Sequence, residues 1–246
     1  MNKLSCIVLT KDCESYLKTC LQNLKWVNEL IVMDDYSSDS TVKIAKRFGA
    51  KIYKRNLNNN FAKQREFCLS KASNKWVLFV DSDEVVTKKL QKEIQSALKD
   101  PKFTSYRIPR KNIYLNKELQ GGEWGKGNLT RLMKKGTGKW VRNVHEYWVS
   151  SDEKGQLNNY LLHHSPKSIQ SFLGRLTYFP LIHASEKRKE KKAGEFWKIL
   201  VFPVVKFARN YILRGGYKDG IHGFVLGMLL SFHSFLSWCY LWQEDR

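Results

Sequence analysis

Two short acidic segments each follow an apolar run in the first hundred residues, and their residue types can do chemistry. The run Trp76-Val77-Leu78-Phe79-Val80 leads into Asp81-Ser82-Asp83-Glu84, and Leu30-Ile31-Val32-Met33 leads into Asp34-Asp35-Tyr36-Ser37-Ser38-Asp39. Carboxylates at i and i+2 after a buried strand offer hard oxygen ligands, which suit Mg²⁺ or Mn²⁺ holding a substrate diphosphate. One such segment also arises by chance in α/β proteins. Two of them in a chain of net charge +20 favour a functional site over solvated surface.

The elements that must position these carboxylates alternate regularly. Apolar and amphipathic patterns predict strands at 4–9, 29–33, 51–54 and 76–80, and helices at 13–24, 41–48 and 61–71. Asp39 or Ser40 is predicted to cap the helix that begins at Thr41, and Gly49 to end it. Short links between strands and helices predict an α/β fold with a mainly parallel sheet, Rossmann-like, with flanking helices. Ligands bind such sheets at the carboxyl ends of the strands, where both acidic segments fall.

The overall composition indicates an anionic partner. The chain has 43 Lys plus Arg against 23 Asp plus Glu, a balance expected for a partner such as nucleic acid, an anionic membrane surface or a phosphorylated substrate. Its five cysteines show no CxxC or zinc spacing, so we expect reduced, packed thiols in a cytosolic protein. The start of the sequence leads straight into a predicted strand and does not resemble a signal peptide.

The carboxyl-terminal segment has a different pattern. Apolar residues dominate 196–213, where Lys198, Lys206, Arg209 and Arg214 recur at near-helical spacing and Pro203 predicts a kink. The stretch 221–242 contains no Lys, Arg, Asp or Glu and is about as long as the roughly 20 residues of a membrane span. Its histidines, serines and glycines make it a poor span. The pattern favours a pair of helices lying in the membrane interface; a true span and a buried helical hairpin are the alternatives.

Several spaced motifs together resemble the family-2 glycosyltransferases of the GT-A fold. They are Val8-Leu9-Thr10-Lys11-Asp12-Cys13-Glu14, the segment from Glu29 to Thr41, Asp81-Ser82-Asp83-Glu84, Arg131-Leu132-Met133, Val144-His145-Glu146, and His163 within Leu161-Leu162-His163-His164-Ser165. The resemblance covers roughly residues 4–185 and is greatest to the branch that adds a hexose to the inner core of lipopolysaccharide. The apolar tail with Gly216-Tyr217-Lys218-Asp219-Gly220 is also typical of that branch. Two positions depart from the family pattern: Tyr36 replaces a usual glycine, and Asp12 a common asparagine.

The resemblance implies a division of the chain by function. Residues 1–100 would form the nucleotide-sugar-binding half of the GT-A domain. Residues 101–185, with short strand-like pieces at 105–108, 129–133 and 161–163, would form the acceptor-binding half that carries the catalytic base. Residues 186–246 would form a basic and apolar helical appendage that associates with the membrane.

Glycosyl transfer from a nucleotide sugar requires that the leaving diphosphate be neutralised, and the acidic segments are expected to serve the donor. The resemblance implies that Asp83 binds the metal ion, while Asp81 contacts the ribose or assists the metal indirectly. Asp34 is expected to hold the base or ribose, with Asp39 divided between that role and helix capping. Thr10 and Asp12 would bracket the base. His163 is a candidate third metal ligand, with a packing role as the alternative.

Cations and the acceptor side complete the expected site. Lys63 and Arg65 could meet phosphate oxygens or lie on a solvated helix face, and Arg131 could meet diphosphate or an acidic side chain. Glu146 is the expected catalytic base, with a plain ion pair as the alternative, and His145 would replace or orient it. Trp124 could stack on the acceptor sugar or belong to a core.

These observations predict a cytoplasmic enzyme, peripheral on the inner face of the cytoplasmic membrane. It would be an inverting glycosyltransferase that moves a hexose, most simply glucose, from a UDP-sugar to a lipid-linked lipopolysaccharide inner-core acceptor. Transfer to a polyprenyl phosphate or another surface polysaccharide is the enzymatic alternative, and a catalytically inactive scaffold on the same fold is a further one. A basic nucleic-acid-binding module is the alternative of another class. The sequence does not favour it, since no nucleic-acid-binding motif is present and acidic strand exits repel phosphate backbones.

Overall fold

A computed structural model describes residues 2–143, 146–164 and 168–244. The chain divides into two compact units, the first made of Met1–Arg110 with Gly127–His163 and the second of Lys111–Lys126 with His164–Arg246. This division differs from the boundaries expected after residues 100 and 185. The reason lies in the segment 111–126, whose backbone at Gln120 and Gly121 donates hydrogen bonds to the buried carboxylate of Asp219, close to the carboxyl-terminal helix. That segment therefore belongs with the carboxyl-terminal helices.

The elements follow one another along the chain with short links. The first part contains β1 (Leu4–Thr10), α1 (Glu14–Gln22), β2 (Glu29–Asp34), α2 (Thr41–Arg47), β3 (Lys51–Lys54), α3 (Phe61–Lys71), β4 (Trp76–Asp81), β5 (Glu84–Val86) and α4 (Lys88–Ala97). Strands β6 (Ser105–Tyr114), β7 (Lys117–Glu118), β8 (Lys126–Lys134), β9 (Lys139–Val141), β10 (Tyr147–Val149), β11 (Gly155–Gln156) and β12 (Leu161–His164) follow. The chain then becomes helical, with α5 (Ile169–Leu176), α6 (Phe179–Lys189), α7 (Phe196–Ala208) and α8 (Ile221–Glu244).

The amino-terminal strands form a parallel sheet in the order β3-β2-β1-β4. The sheet continues through β8, which is antiparallel to β4, and then through β6, β12 and β5. The alternation predicted for the first hundred residues is confirmed, and each predicted strand lies within an observed one or matches it. Gly49 follows α2 with φ +70°, the left-handed conformation expected of a helix-ending glycine.

Side chains of the parallel strands alternate between two cores, one on each face of the sheet. Cys6, Val8 and Leu78 belong to one core, while Ile7 and Phe79 belong to the other. Because both faces are covered, these strands have almost unbroken apolar sequences, which is why they were recognisable from the sequence alone. Four of the five cysteines, Cys6, Cys13, Cys20 and Cys68, are buried, as expected of packed thiols.

The second unit has its own apolar clusters. One joins the side chains of Tyr114 and Leu119 to α5 and α8, and another joins Ala184 of α6 and Ile199 of α7 to α8. The predicted helices at 196–213 and 221–242 are both present, the first continuing past Pro203 and ending in a π-helical turn, Arg209–Leu213. Among the described residues, one helix is long and apolar enough to cross a membrane, the 24-residue α8, and a third of its apolar window is buried.

Candidate active site

The sheet brings the two acidic segments to one edge. Strand β1 lies between β2 and β4, so that Thr10 is the register partner of Asp34 and Leu9 that of Asp81. The carboxyl ends of three adjacent parallel strands therefore carry Thr10, Asp34 and Asp81 side by side. This edge is where ligands bind in open α/β sheets.

Carboxylates at the ends of β1 and β2 accept hydrogen bonds from the turn after β2. Asp34 is fully buried, and its oxygens accept hydrogen bonds from Ser37 N at 3.0 Å, Ser37 Oγ at 2.6 Å and Thr10 Oγ1 at 3.3 Å. Asp12 accepts one from Ser38 N at 2.7 Å, which lowers the pKa of the Asp12 carboxyl below its ordinary value. These contacts fix the turn against the end of β1. The nucleotide contacts expected of Thr10, Asp12 and Asp34 remain predictions.

Asp39 joins the start of two helices. Its carboxylate accepts hydrogen bonds from Glu14 N at 3.0 Å and from Thr41 N at 2.9 Å, while Glu14 Oε2 accepts one from Ser40 N at 2.9 Å. These bonds satisfy free amides in the first turns of α1 and α2. Asp39 therefore binds amides at the starts of the helices, which was the alternative to a nucleotide contact. The contact of Asp39 with the nucleotide stays a prediction.

The two departures from the family pattern both occupy left-handed backbone. Tyr36 has φ +52° and Asp12 has φ +42°. Glycine adopts this region at no steric cost, and asparagine and aspartate tolerate it better than most residues. The glycine and asparagine that the resemblance expects here are therefore explained by backbone conformation. Tyr36 adopts this strained backbone conformation. Its side chain is about half exposed, and its ring centre lies 6.0 Å from the ammonium nitrogen of Lys54.

Two buried arginines hold Asp81. Arg65 of α3 donates from Nη2 to Asp81 Oδ1 at 3.0 Å, and Arg131 of β8 donates from Nη2 to Asp81 Oδ2. Burial by itself raises the pKa of Asp81, but the charges of Arg131 and Arg65 outweigh it and hold that pKa below its ordinary range. Asp81 is therefore an ionised carboxylate with both oxygens in use. For Arg131, the acidic-partner alternative is what the structure shows.

Glu84 and Arg110 belong to the same cluster, and no role was predicted for either. The Glu84 side chain is fully buried, accepts a hydrogen bond from Asp81 N at 2.9 Å, and lies 3.6 Å from both Arg110 and Arg131. Burial raises the pKa of Glu84. In the sequence, the position of Glu84 directly after Asp83 was the feature that could have indicated a role for it. What it pairs with depends on β6 and β8, which follow much later in the chain.

Asp83 and His163 are neighbours, as the resemblance implied. Strand β12 pairs antiparallel with β5, placing His163 opposite Glu84, and His163 Nε2 lies 3.3 Å from Asp83 Oδ2. The part of the chain that the structure describes contains no group of three or more His, Cys, Asp or Glu side chains able to hold a metal ion by themselves. A carboxylate with one histidine nevertheless fits Mg²⁺ or Mn²⁺ if substrate phosphates complete the ligands, as they commonly do for such ions. Asp81, occupied by two arginines, fits the indirect role.

Glu146 is joined to the same cluster through Arg65. It precedes β10, and its Oε1 accepts a hydrogen bond from Arg65 Nε at 2.7 Å, so one guanidinium links the expected base to Asp81. The ion pair given as the alternative reading of Glu146 is thus present, and its catalytic role remains a prediction. The neighbouring His145, also a candidate base, lies outside the described residues.

Two remaining candidates lie elsewhere. Lys63 is exposed on α3 next to the turn that Asn60 caps, so its phosphate contact remains a prediction and the solvated-face reading stays open. Trp124 belongs to the second unit, where its ring packs at centroid distances of 6.5 Å from Tyr114 and 5.8 Å from Phe172. These contacts match the core alternative for Trp124, and stacking on a sugar remains a prediction.

Comparison with known proteins shows the family of the chain. The family described as Glycosyl transferase family 2 matches residues 5–153, which include Asp81, Asp83, Arg65, Arg131 and Glu146. The match covers more than half of the 246 residues. The chain therefore belongs to glycosyl transferase family 2.

Relatives extend the similarity over nearly the whole chain. The chain is 23% identical over 249 residues to the lipopolysaccharide core biosynthesis glycosyltransferase LpsC of Rhizobium meliloti, covering 98% of this chain and 92% of LpsC. It is 26% identical over 250 residues to an uncharacterized glycosyltransferase of Rickettsia felis, covering 96% of this chain and 88% of that protein. Most of the second unit therefore lies within the aligned region in both relatives.

Among solved structures, the chain resembles residues 1–349 of S. aureus TarS in complex with UDP-GlcNAc. The TM-score is 0.50 at 18% sequence identity, with 68% of this chain and 59% of the TarS fragment covered. At this identity the likeness shows the fold. The predicted GT-A fold, with its mainly parallel sheet and a carboxyl-terminal apolar helix, is confirmed.

Proposed function

We propose that this protein is an inverting hexosyltransferase that moves glucose from a UDP-sugar to an inner-core lipopolysaccharide acceptor. The observation that carries the proposal is that Arg65 and Arg131 hold Asp81 at the carboxyl edge of the parallel sheet, Arg65 also holds Glu146, and Asp83 follows two residues after Asp81. Glycosyl transfer needs a donor-side carboxylate, a base and positive charge, and this cluster supplies all three. Membership of a glycosyltransferase family supports the reaction class.

On the donor side, Asp83 and His163 would hold a Mg²⁺ or Mn²⁺ ion together with the donor diphosphate. Such an ion supplies positive charge that stabilises the leaving diphosphate. Arg65 and Arg131 keep Asp81 ionised and in place beside Asp83. Thr10, Asp12 and Asp34, at the ends of β1 and β2, would receive the nucleoside.

On the acceptor side, Glu146 would take the proton of the attacking hydroxyl. The acceptor oxygen forms a bond to the anomeric carbon as the bond from that carbon to the diphosphate breaks, and the bonding electrons leave with the diphosphate. The hydroxyl proton passes to the Glu146 carboxylate. Attack on the face opposite the leaving group inverts the anomeric centre, and a single base suffices because no covalent enzyme intermediate forms.

Donor and acceptor are proposed from chemistry and from relatives. TarS is known in complex with UDP-GlcNAc and LpsC is a lipopolysaccharide core biosynthesis glycosyltransferase, which supports a UDP-sugar donor and an envelope glycan acceptor. The net charge of +20 suits an acceptor rich in phosphate. Transfer to a polyprenyl phosphate or another surface polysaccharide would use the same residues.

We further propose that the enzyme is peripheral on the cytoplasmic face of the membrane, held by its second unit. Phe196, Leu200 and Val204 lie on one face of α7 and are 67%, 56% and 67% exposed. The helical segment 196–213 carries Lys198, Lys206 and Arg209 within its apolar sequence, which disfavours a span, so it would lie in the interface. Exposed Lys191, Lys192, Arg209 and Arg214 bracket it and would meet anionic headgroups.

A donor screen tests the proposal. Thermal unfolding is measured with UDP-, GDP-, ADP- and dTDP-sugars, each with and without Mn²⁺, and positive donors are then assayed for transfer to phosphorylated inner-core oligosaccharide. A ligand that binds only the folded chain raises its apparent stability by RT ln(1 + [L]/Kd), about 2.7 kcal/mol at 100 Kd. We expect stabilisation by UDP-glucose with Mn²⁺ and a β-linked product. Stabilisation by GDP- or dTDP-sugars alone would contradict the proposed UDP-sugar donor. An α-linked product would contradict the proposed inversion.

A further inference from the structure

Arg65 is a buried cation packed against two aromatic rings. Its side chain is 2% exposed, and its guanidinium carbon lies 5.1 Å from the ring centre of Phe79 and 5.0 Å from that of Trp140. A buried charge persists only when anionic partners and hydrogen bonds offset its desolvation. Among the described residues, Arg65 has two such partners, Asp81 and Glu146.

The two carboxylates lie on neighbouring donors of one rigid group. Nη2 bonds Asp81 Oδ1 at 3.0 Å, and Nε bonds Glu146 Oε1 at 2.7 Å. Since the guanidinium is planar and its donors have fixed directions, it sets the spacing between the carboxylates as well as neutralising them. Asp81 comes directly before the proposed metal-binding segment, and Glu146 is the proposed base.

Helix α3 also fixes the chain around Glu146. Phe61 N donates to Asn143 O at 2.9 Å, and Glu66 accepts a hydrogen bond from the backbone of Trp140. These two contacts hold the backbone at Trp140 and Asn143, whereas Arg65 is bonded to the Glu146 carboxylate itself. Three residues of one helix therefore bind Trp140, Asn143 and the Glu146 side chain.

We propose that Arg65 is a positioning residue that orients the Glu146 carboxylate toward the acceptor and couples it to the donor side through Asp81. This rests on the proposed function, in which Glu146 is the base. With Oε1 fixed by Arg65, the second carboxylate oxygen is the atom that receives the acceptor proton. Arg131 is a matched comparison, because it is equally buried and bonds the same Asp81, while its described hydrogen bonds and ion pairs go to Asp81 and Glu84.

Substituting lysine for each arginine separates the two roles. Arg65→Lys keeps the charge but cannot hold two carboxylates in fixed directions, while Arg131 continues to hold Asp81. We expect kcat to fall about 10–100-fold with the donor KM near that of the wild type, since a misplacement of about 1 Å can cost roughly 100-fold. Arg131→Lys should instead raise the donor KM. Circular dichroism and thermal unfolding check that each variant is folded, and Arg65→Gln replaces Arg65→Lys if the latter is not.

A double-mutant cycle with Glu146→Gln decides whether Arg65 acts through Glu146. If it does, Arg65→Lys lowers kcat far less in the Glu146→Gln background than in the wild type. Multiplicative losses, or a raised donor KM with unchanged kcat in Arg65→Lys, overturn the inference while the proposed function stands. Absence of transfer by the wild-type chain from every donor overturns the proposed function and this inference with it.

Discussion

The two compact units of this glycosyltransferase use charge and apolar surface in opposite ways. In the first unit, cations are buried: Arg65 and Arg131 are 2% and 5% exposed and are held by carboxylates. In the second unit it is apolar side chains that are exposed, as Leu213 at 81% and Phe196 at 67% show. Buried ion clusters are costly to build and are commonly retained at functional sites, whereas broad exposed apolar surface marks an interaction site. This difference supports the proposed chemistry of the first unit and the proposed membrane attachment of the second.

The largest expected effect tests the chemistry assigned to the first unit. Glu146→Gln keeps the shape of the side chain but cannot accept the proton, so kcat should fall about 10²–10⁴-fold while donor affinity stays near that of the wild type. Steady-state kinetics and donor titration measure the two quantities. If Glu146→Gln retains most of its turnover and His145→Ala does not, the base is His145.

The next prediction concerns the donor carboxylates. Asp83→Ala should weaken Mn²⁺-dependent UDP binding about 100-fold, because it removes a proposed metal ligand and leaves His163 alone beside the site. Isothermal titration of UDP with and without Mn²⁺ measures the loss. The matched control is Asp152→Ala, which removes an exposed carboxylate of the same unit and should leave the affinity unchanged. Equal affinity of folded Asp83→Ala and wild type would remove Asp83 from the site.

A structural carboxylate of the first unit predicts a pH dependence of stability. Burial raises the pKa of Glu29, but hydrogen bonds from Lys51, Ser5 and Ser73 outweigh it and lower that pKa to about 2. Since the folded pKa lies below the unfolded one, the stabilisation is present above about pH 4.5 and is lost as the pH falls toward 2. Glu29→Gln should cost on the order of 3 kcal/mol at pH 7 and less than half as much at pH 3.

Urea unfolding at both pH values measures this difference. The control, Glu153→Gln, alters an exposed carboxylate and should change the free energy of unfolding little at either pH. A pH-independent cost for Glu29→Gln would mean that packing, and not the charge, makes Glu29 stabilising.

The smallest expected effect tests the proposed membrane attachment through the exposed apolar face of α7. Leu200→Gln, on the exposed face of α7, should weaken binding of the full chain to anionic liposomes about tenfold. Burying a leucine side chain contributes about 1.5–3 kcal/mol, and the lower end applies because Leu200 is already partly buried. Val149→Gln, at a 38% exposed valine of the first unit, is the control and should bind as the wild type does. Flotation measures both variants.

The salt dependence of flotation separates the modes of attachment. High salt should release the wild type only in part, because screening weakens the cations and not apolar insertion. A chain that resists both salt and alkaline carbonate would instead span the bilayer through α8. A chain that stays soluble with both anionic and neutral liposomes would show that the apolar face serves another purpose.

The sequence by itself determined the parallel half of the sheet, the two acidic strand ends and the two apolar tail helices. Each of these is a local pattern: strands buried on both faces have unbroken apolar sequences, and helices repeat with a period of 3.6 residues. The candidate site residues were recognisable through spaced motifs of the family, and the sheet brings Thr10, Asp34 and Asp81 to one edge as parallel topology requires.

Only the tertiary structure decided which charges meet. Arg65 and Glu146 are 81 residues apart in sequence and Arg131 and Asp81 are 50 apart, so no local pattern pairs them. The turn at Tyr36 took a left-handed conformation without the usual glycine because contacts of Asp34 and Asp12 hold it. Likewise, residues 111–126 joined the second unit because the Asp219 carboxylate binds their backbone. Contacts of this kind depend on where the chain returns in space, which the spacing of residues along it does not encode.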